Sequence, residues 1–246
     1  MAFQSRSRLR REDIDAKAEE VVLHFNAQAF KRLTSPIYEV VTGLKDIYHI
    51  PFDFGQDLGY SPKGKKILGR FDFQPRHILI DKVLPYDSPR FRWTLCHEVG
   101  HFVLHRKLKP KLISRDAPQF IDTRTELRFI RTARWSELNW VEWQANQFAS
   151  ALLLPRPNVL TAVCEVQREL NIRRVGSIYL DDQPWNVRDY VSVLRNVAGK
   201  LNVSRTVLRI RLLHLGILTD ARRAGKDHVQ EALRSLFSEG DSASKP

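Results

Sequence analysis

Cysteine is scarce in this chain, and long apolar runs are missing. Only Cys96 and Cys164 occur among the 246 residues, which excludes a disulfide framework and a zinc site built from cysteine pairs. No run reaches the roughly 18 to 20 apolar residues that a membrane helix needs, and the arginine-rich start lacks the apolar stretch of a secretory signal. We therefore expect a cytoplasmic protein with reduced thiols and no membrane partner.

Acidic side chains are outnumbered by basic ones. The chain has 28 aspartates and glutamates against 40 lysines and arginines, which gives a formal net charge of +12 and a pI near 10. This excess favours contact with nucleic acid or an acidic protein, although an ordinary solvated surface has the same composition. The hydrophobic fraction of 43% and the five tryptophans predict a globular fold.

The first third of the chain mixes helical and strand-like patterns. Helical spacing runs from Glu12 to about Leu33, and a second helix is expected after Pro36. Apolar residues alternate with polar ones over 67–73, and a second short strand is expected over 77–80. The two strands predict a small sheet and an α+β fold.

Two amphipathic helices follow. Ser88 and Pro89 supply a helix start, and the apolar spacing continues until Pro110 prevents further helix. After a basic insertion with some helical character, a second helix is expected from about Ser136 to Leu154.

The sequence HEVGH occupies positions 97–101 within the first of these helices. Residues four apart share a helix face, so His97 and His101 can direct their imidazoles at one metal ion. Glu98 lies one residue on and can approach a water on that ion, whose pKa zinc lowers to about 7. The pattern predicts peptide-bond hydrolysis with Glu98 as the general base.

A catalytic zinc site needs a third protein ligand. Glu142 is favoured because it lies on the second helix, off its apolar stripe and one turn before Asn146. Asn146 would then orient a ligand histidine by a hydrogen bond. Glu126 and Glu137 remain alternative ligands.

Other histidine arrangements are less suitable. His105 lies eight residues beyond His97, about 12 Å along a helix, and is too distant to complete a compact site. The metzincin pattern needs glycine and histidine where Leu104 and Lys107 stand. The donor that stabilises an oxyanion is not identified, and His105, Tyr179 and an arginine of the insertion are the candidates.

Two segments, RFRWTLCHEVGHFVLH at 90–105 and EWQANQFASALLLP at 142–155, resemble the ImmA/IrrE family of zinc metallopeptidases. The resemblance implies a gluzincin-like fold and a protein substrate, since several family members cleave helix-turn-helix transcriptional repressors. It also implies a site in which Glu98 is the catalytic base and the Zn²⁺ ligands are His97, His101 and Glu142.

The C-terminal part resembles a helix-turn-helix. A helix is expected over 191–201, and Ser204 begins a second helix that Gly216 ends. If the second helix is a DNA-recognition helix, the residues that contact DNA phosphates or base edges would be Arg205, Thr206 and Arg209. A helical hairpin packed on the rest of the protein is favoured over DNA binding.

These patterns predict a metallopeptidase with a helical extension. The expected segments are a disordered basic arm (1–10), a metallopeptidase core (11–156), a connecting segment (157–185), a helix-turn-helix-like extension (186–232) and a disordered tail (233–246). The alternative is a DNA-binding transcriptional regulator, or a partner of toxin–antitoxin type, with a non-catalytic metal site.

Overall fold

A computed structural model describes residues 9–62, 64–107, 119–123 and 137–222, with the backbone alone for 119–123 and 137–138. The helices are α1 (Arg11–Phe25), α2 (Ile37–Tyr48), α3 (Pro89–Gly100), α4 (Glu137–Leu153), α5 (Arg156–Glu169), α6 (Pro184–Lys200) and α7 (Arg205–His214). The strands are β1 (Phe52–Gln56), β2 (Ile67–Phe73), β3 (Arg76–Asp81), β4 (Gln119–Thr123), β5 (Ile178–Leu180) and β6 (Leu218–Asp220). The predicted α+β class is confirmed.

A four-stranded sheet with the order β1-β3-β2-β4 forms one layer of the fold. The predicted strands β2 and β3 form an antiparallel hairpin, with Phe71 opposite Ile78. Strand β1 runs parallel to β3, and β4 runs antiparallel to β2. Neither outer strand was predicted, because each depends on pairing with a distant segment. Strand β4 lies within the basic insertion, and the helical character expected in the rest of that insertion lies outside the described residues.

Helix α1 ends at Phe25, so the prediction of a helix to about Leu33 was wrong. Asn26 leaves the helix in an extended conformation, with φ −149°. Its side-chain oxygen accepts a hydrogen bond from the Gln28 backbone N–H at 2.9 Å. Such a local bond competes with helix continuation. A short 3₁₀ turn (Ala29–Lys31) then leads towards α2, which begins after Pro36 as predicted.

Helix α3 begins as predicted. The Ser88 hydroxyl accepts a hydrogen bond from the Phe91 backbone N–H at 3.2 Å, and Pro89 occupies the first turn. The helix continues as a π-helical turn over His101–His105. The predicted end at Pro110 lies outside the described residues. Helix α4 matches the second predicted amphipathic helix.

Helices α3 and α4 cross at Gly100. A Cβ added there would lie 3.1 Å from the Ala145 backbone oxygen and 3.2 Å from a ring carbon of Phe148. Only a residue without a side chain allows the two backbones to approach this closely. The crossing therefore fixes which residues of α4 face the HEVGH segment.

The C-terminal helices share the core of the preceding elements. One cluster of buried apolar residues includes members from α1 through β6. Helix α6 begins at Pro184, well before the expected start at Val191, because Pro184 occupies the first turn. Ser204 begins α7 as predicted, its hydroxyl accepting from the Val207 N–H at 3.2 Å, and Gly216 follows with φ +68°.

A buried arginine attaches α7 to the rest of the fold. Arg211 is fully buried, donates to the Leu154 carbonyl at 3.0 Å and contacts both carboxylate oxygens of Asp15 at 2.9 and 2.7 Å. A charged pair held in this way fixes the position of α7 on α1 and α4.

The expected segment boundaries remain predictions. Of the arm expected over 1–10, only the last two residues are described, and the tail expected over 233–246 lies outside the described residues. Among the described helices, none is long and apolar enough to cross a membrane.

Replacing Gly100 by alanine tests the crossing. We expect Gly100→Ala to lower the free energy of unfolding by about 1–2 kcal/mol, because the new methyl group forces α3 and α4 apart. Gly199 on α6 has no atom of a described residue within 4 Å of an added Cβ, so Gly199→Ala should raise the stability by about 0.5 kcal/mol. Urea unfolding measures the free energy of unfolding of both variants. An equal change in this free energy for the two substitutions would contradict the close contact at Gly100.

Candidate metal centre

Three side chains converge where α3 and α4 cross. Nitrogen atoms of His97 and His101 and a carboxylate oxygen of Glu142 all lie within 4.8 Å of one another. The two Nε2 atoms are 3.0 Å apart, and they lie 3.4 and 3.6 Å from the oxygens of Glu142. Both imidazoles are fully buried, and Glu142 is 7% exposed. The structure thus brings together the three predicted ligands.

Asn146 fixes the outer nitrogen of His97, which is Nδ1, the ring nitrogen that points away from the cluster. His97 Nδ1 lies 3.0 Å from Asn146 Oδ1. An amide oxygen can only accept a hydrogen bond, so Nδ1 carries the proton and Nε2 keeps its lone pair. The lone pair therefore faces His101 and Glu142. Asn146 occupies the position that the sequence predicted for it, one turn after Glu142.

A second histidine fixes the outer nitrogen of His101. The Nδ1 atoms of His101 and His105 are 3.2 Å apart, and His105 Nε2 lies 3.1 Å from Gln144 Oε1. Because that oxygen only accepts, His105 donates through Nε2 and accepts from His101 through Nδ1. Burial lowers the pKa of His105 to about 3. His105 is thus neutral near pH 7, as this chain of hydrogen bonds requires.

The sequence did not predict this second chain of hydrogen bonds, which runs from His101 through His105 to Gln144. His105 is absent from the three-residue cluster, as expected from its distance, but its role behind His101 was not foreseen. The available signals were its four-residue spacing from His101 and the position of Gln144, two residues after Glu142. Spacing alone does not tell which face of α4 meets α3, so these signals were insufficient.

Glu142 supplies the negative charge of the cluster. Burial alone would raise the pKa of this carboxyl, but His101 and His97 outweigh burial and hold the pKa below its ordinary value. A bound cation would act in the same direction. Of the alternative ligands, Glu126 lies outside the described residues, and only the backbone of Glu137 is described.

The cluster fits a zinc ion by its donor chemistry. Two imidazole nitrogens and one carboxylate oxygen form a donor set typical of catalytic zinc sites, which keep a further coordination position open. The hydrogen bonds from both outer nitrogens are the usual means of orienting ligand histidines. Such a burial of polar groups is costly unless they are paired or bind a metal.

Glu98 lies against strand β2. A Cβ added at Gly69 would lie 2.6 Å from Glu98 Oε1 and 2.5 Å from Cγ2 of Thr94. Glu98 itself is fully buried. A glycine inside a strand often marks such a close approach, and this was the signal by which the sequence could have identified Gly69. The glycine leaves room for the Glu98 carboxylate between helix and sheet.

The other predicted site residues lie elsewhere. His105 lies behind His101, and Tyr179 lines a separate cavity on the C-terminal side. Arg205 and Thr206 are exposed at the start of α7. Arg209 donates to Asp220 Oδ2 at 2.8 Å and so forms an ion pair within the fold. The structure therefore brings none of these residues into the metal cluster.

Removal of the Asn146 carboxamide tests how His97 is oriented. We expect Asn146→Ala to weaken Zn²⁺ binding by about 10- to 100-fold, because His97 loses the acceptor that fixes its tautomer. Asn196→Ala is the control, since Asn196 donates to the Ser192 carbonyl within α6 and forms no hydrogen bond to the cluster among the described residues. Competition with a chromophoric chelator gives both dissociation constants, and unchanged affinity in the Asn146 variant would refute the orienting role.

Filling the space at Gly69 tests the position of Glu98. If Glu98 is the general base that the sequence predicts, Gly69→Ala should retain metal but lower kcat by about 100-fold, because displacement of a reacting group by about 1 Å has this effect. Gly55→Ala on β1 is the control, since an added Cβ there meets only Asp53 Oδ1, at 4.0 Å. Metal content and turnover on an unfolded protein substrate distinguish this result from a general loss of folding.

Comparison with known proteins places the chain in a family. A family model described as IrrE N-terminal-like domain, for a group of peptidases, matches residues 53–213, a range that runs from β1 into α7 and includes the metal cluster. No curated protein gives a match. Since the matched range covers well over half of the 246 residues, the chain belongs to the IrrE N-terminal-like family of peptidases, whose members depend on a metal ion.

Proposed function

We propose that the protein is a zinc-dependent endopeptidase with a gluzincin-like core. The observation that carries the proposal is the buried cluster of His97, His101 and Glu142, in which the outer nitrogen of each histidine has a hydrogen-bond partner. This arrangement directs two neutral imidazole lone pairs and one carboxylate towards one point. Membership in a metal-dependent peptidase family supports the same conclusion.

The roles of the side chains follow from their chemistry. His97, His101 and Glu142 would hold the ion, and Asn146 would keep His97 in the required tautomer. When bound, zinc supplies a Lewis acid that polarises the scissile carbonyl and acidifies the attacking water. Glu98 would take a proton from the attacking water, whose oxygen adds to the scissile carbonyl carbon, and would deliver that proton to the nitrogen of the C–N bond that breaks, so that the nitrogen leaves as an amine. Its buried position against Gly69 limits the orientations of its carboxylate.

Strand β4 is the proposed binding edge for the substrate backbone. Within the described part of the chain, β4 pairs with β2 alone and forms one edge of the sheet. Its residue Asp122 is opposite Gly69, the residue that contacts Glu98. A peptide added to this edge in an extended conformation would lie two strand spacings, about 10 Å, from Gly69.

The substrate is a protein, as the peptidase family implies. We propose a regulatory cleavage of a specific target such as a helix-turn-helix transcriptional repressor, which rests on the resemblance to ImmA/IrrE peptidases. The basic net charge of +12 suits a target that is acidic or bound to DNA. The cytoplasmic location stays a prediction.

A DNA-binding regulator, or a toxin–antitoxin-type partner, with a non-catalytic metal site is the alternative. The exposed Arg205 and Thr206 at the start of α7 favour DNA contact. Arg209 is held by Asp220, and the buried Arg211 attaches α7 to α1. These contacts favour the packing role of the helix, and the presence of Glu98 beside the ligand pair favours hydrolysis.

Metal content and hydrolysis should separate the ligands from the base. We expect about one zinc per chain in the wild type, loss of metal and activity in His97→Ala and Glu142→Ala, and retained metal with at least about 100-fold lower activity in Glu98→Gln. Elemental mass spectrometry and cleavage of an unfolded reporter protein or a candidate repressor measure the two properties.

The matched control is Glu39→Ala, which removes an exposed glutamate paired with Arg32 on the surface. This variant should keep both metal and activity. Wild-type protein that neither contains zinc nor rebinds it after careful preparation would refute the enzyme and favour the DNA-binding alternative.

A further inference from the structure

A groove of about 550 Å³ lies on the C-terminal side of the molecule, apart from the metal cluster. It is bounded by the loop after α5, by strand β5 and by the first half of α6. None of the three candidate metal ligands lines it. The candidate metal centre therefore does not account for this groove.

Strand β5 lines this groove, and within the described residues one of its two backbone edges has no neighbouring strand. The parallel ladder with β6 uses the peptide groups of Ile178 and Leu180, as shown by the bonds from Ile178 N to Ile217 O and from Ala221 N to Leu180 O. In such a ladder the N–H and C=O of the middle residue, Tyr179, point to the opposite edge. Within the described part of the chain, the sheet contains only these two strands.

The groove is basic. Arg173, Arg174 and Arg188 line it, and Asp189 is the only acidic residue among the described residues that line it. Arg174 donates to the Ser177 hydroxyl at 2.9 Å, and Arg188 lies 3.4 Å from Asp189 in an exposed pair of little strength. Arg173 is exposed and forms no ion pair with any described residue. The charge of the groove is therefore available to an acidic ligand.

The groove also offers apolar contact. Leu170 is 39% exposed and Tyr179 is 41% exposed, both within the lining. An extended peptide presents alternate side chains to opposite faces. Such a peptide could place acidic residues near the arginines and apolar residues on Leu170 and Tyr179.

We propose that this groove binds an extended, acidic segment of a protein, which pairs with β5 as a third strand. Nucleic acid is the less suitable occupant, because phosphates would contact the arginines but leave the peptide group of Tyr179 without a matching backbone. The segment belongs to the protein substrate, and in this respect the inference rests on the proposed function. The groove then serves as a second recognition site beside the cleavage site.

Binding is tested with the full chain and a fluorescein-labelled eight-residue peptide that alternates glutamate with valine or threonine. We expect saturable binding by fluorescence anisotropy, and binding at least about tenfold weaker for the Arg173→Glu/Arg174→Glu double variant. The same peptide with alternate backbone nitrogens methylated should also bind at least about tenfold more weakly, because it cannot pair fully with the strand edge. Replacing its glutamates by lysines should abolish binding.

A matched control separates the groove from net charge. Lys31→Glu/Lys45→Glu makes the same change in charge at exposed positions near the N-terminus, and it should leave peptide binding unchanged. Equal weakening in both double variants would overturn the proposal in favour of general attraction. Tighter binding of a twelve-residue oligothymidylate, lost in the groove variant, would overturn it in favour of a nucleic-acid site.

The outcomes also separate this inference from the proposed function. Peptide binding does not require the metal or Glu98, so it is measured on Glu98→Gln protein as well. If the peptide binds through the groove but the wild type hydrolyses no substrate, only the proposed peptidase function is refuted. If the wild type hydrolyses its substrate but the groove variant binds the peptide as well as the wild type does, only the proposed role of the groove is refuted.

Discussion

The close crossing of α3 and α4 is the constraint on which the metal cluster depends. Gly100 lies between His97 and His101 in sequence, and it faces the backbone of Ala145. Because the two helices meet there without an intervening side chain, Glu142, one turn before Ala145, reaches both Nε2 atoms. A wider separation would leave a two-histidine pair, which does not suffice for a catalytic zinc site.

Burial of this many polar groups has to be offset. Two chains of hydrogen bonds lead outwards from the cluster, one to Asn146 and one through His105 to Gln144. Both end on an amide oxygen of α4, so the same helix that supplies the carboxylate also sets the tautomers of both histidines. A metal ion would complete the compensation, because it pairs the remaining lone pairs with positive charge.

The sequence predicted those features that depend on local spacing. The HEVGH helix, the start at Ser88 and the place of Glu142 follow from helical periodicity and capping. Strands β1 and β4 depend on pairing between distant segments, and the bond from His101 to His105 depends, with its continuation to Gln144, on which face of α4 meets α3. Such features are set by tertiary packing, so local patterns did not reveal them.

The C-terminal helices belong to the same packed unit as the metal centre. Arg211 of α7 contacts Asp15 and Leu154, and α4 supplies both Leu153 to the common core and Glu142 to the cluster. The DNA-reading interpretation needs basic residues of α7 that are free to contact DNA. Arg205 is exposed, but Arg209 is paired with Asp220 and Arg211 with Asp15. Helix α7 is therefore anchored to the rest of the fold through Arg211, and in the proposal above the exposed arginines beside β5 supply the basic charge that meets a protein substrate.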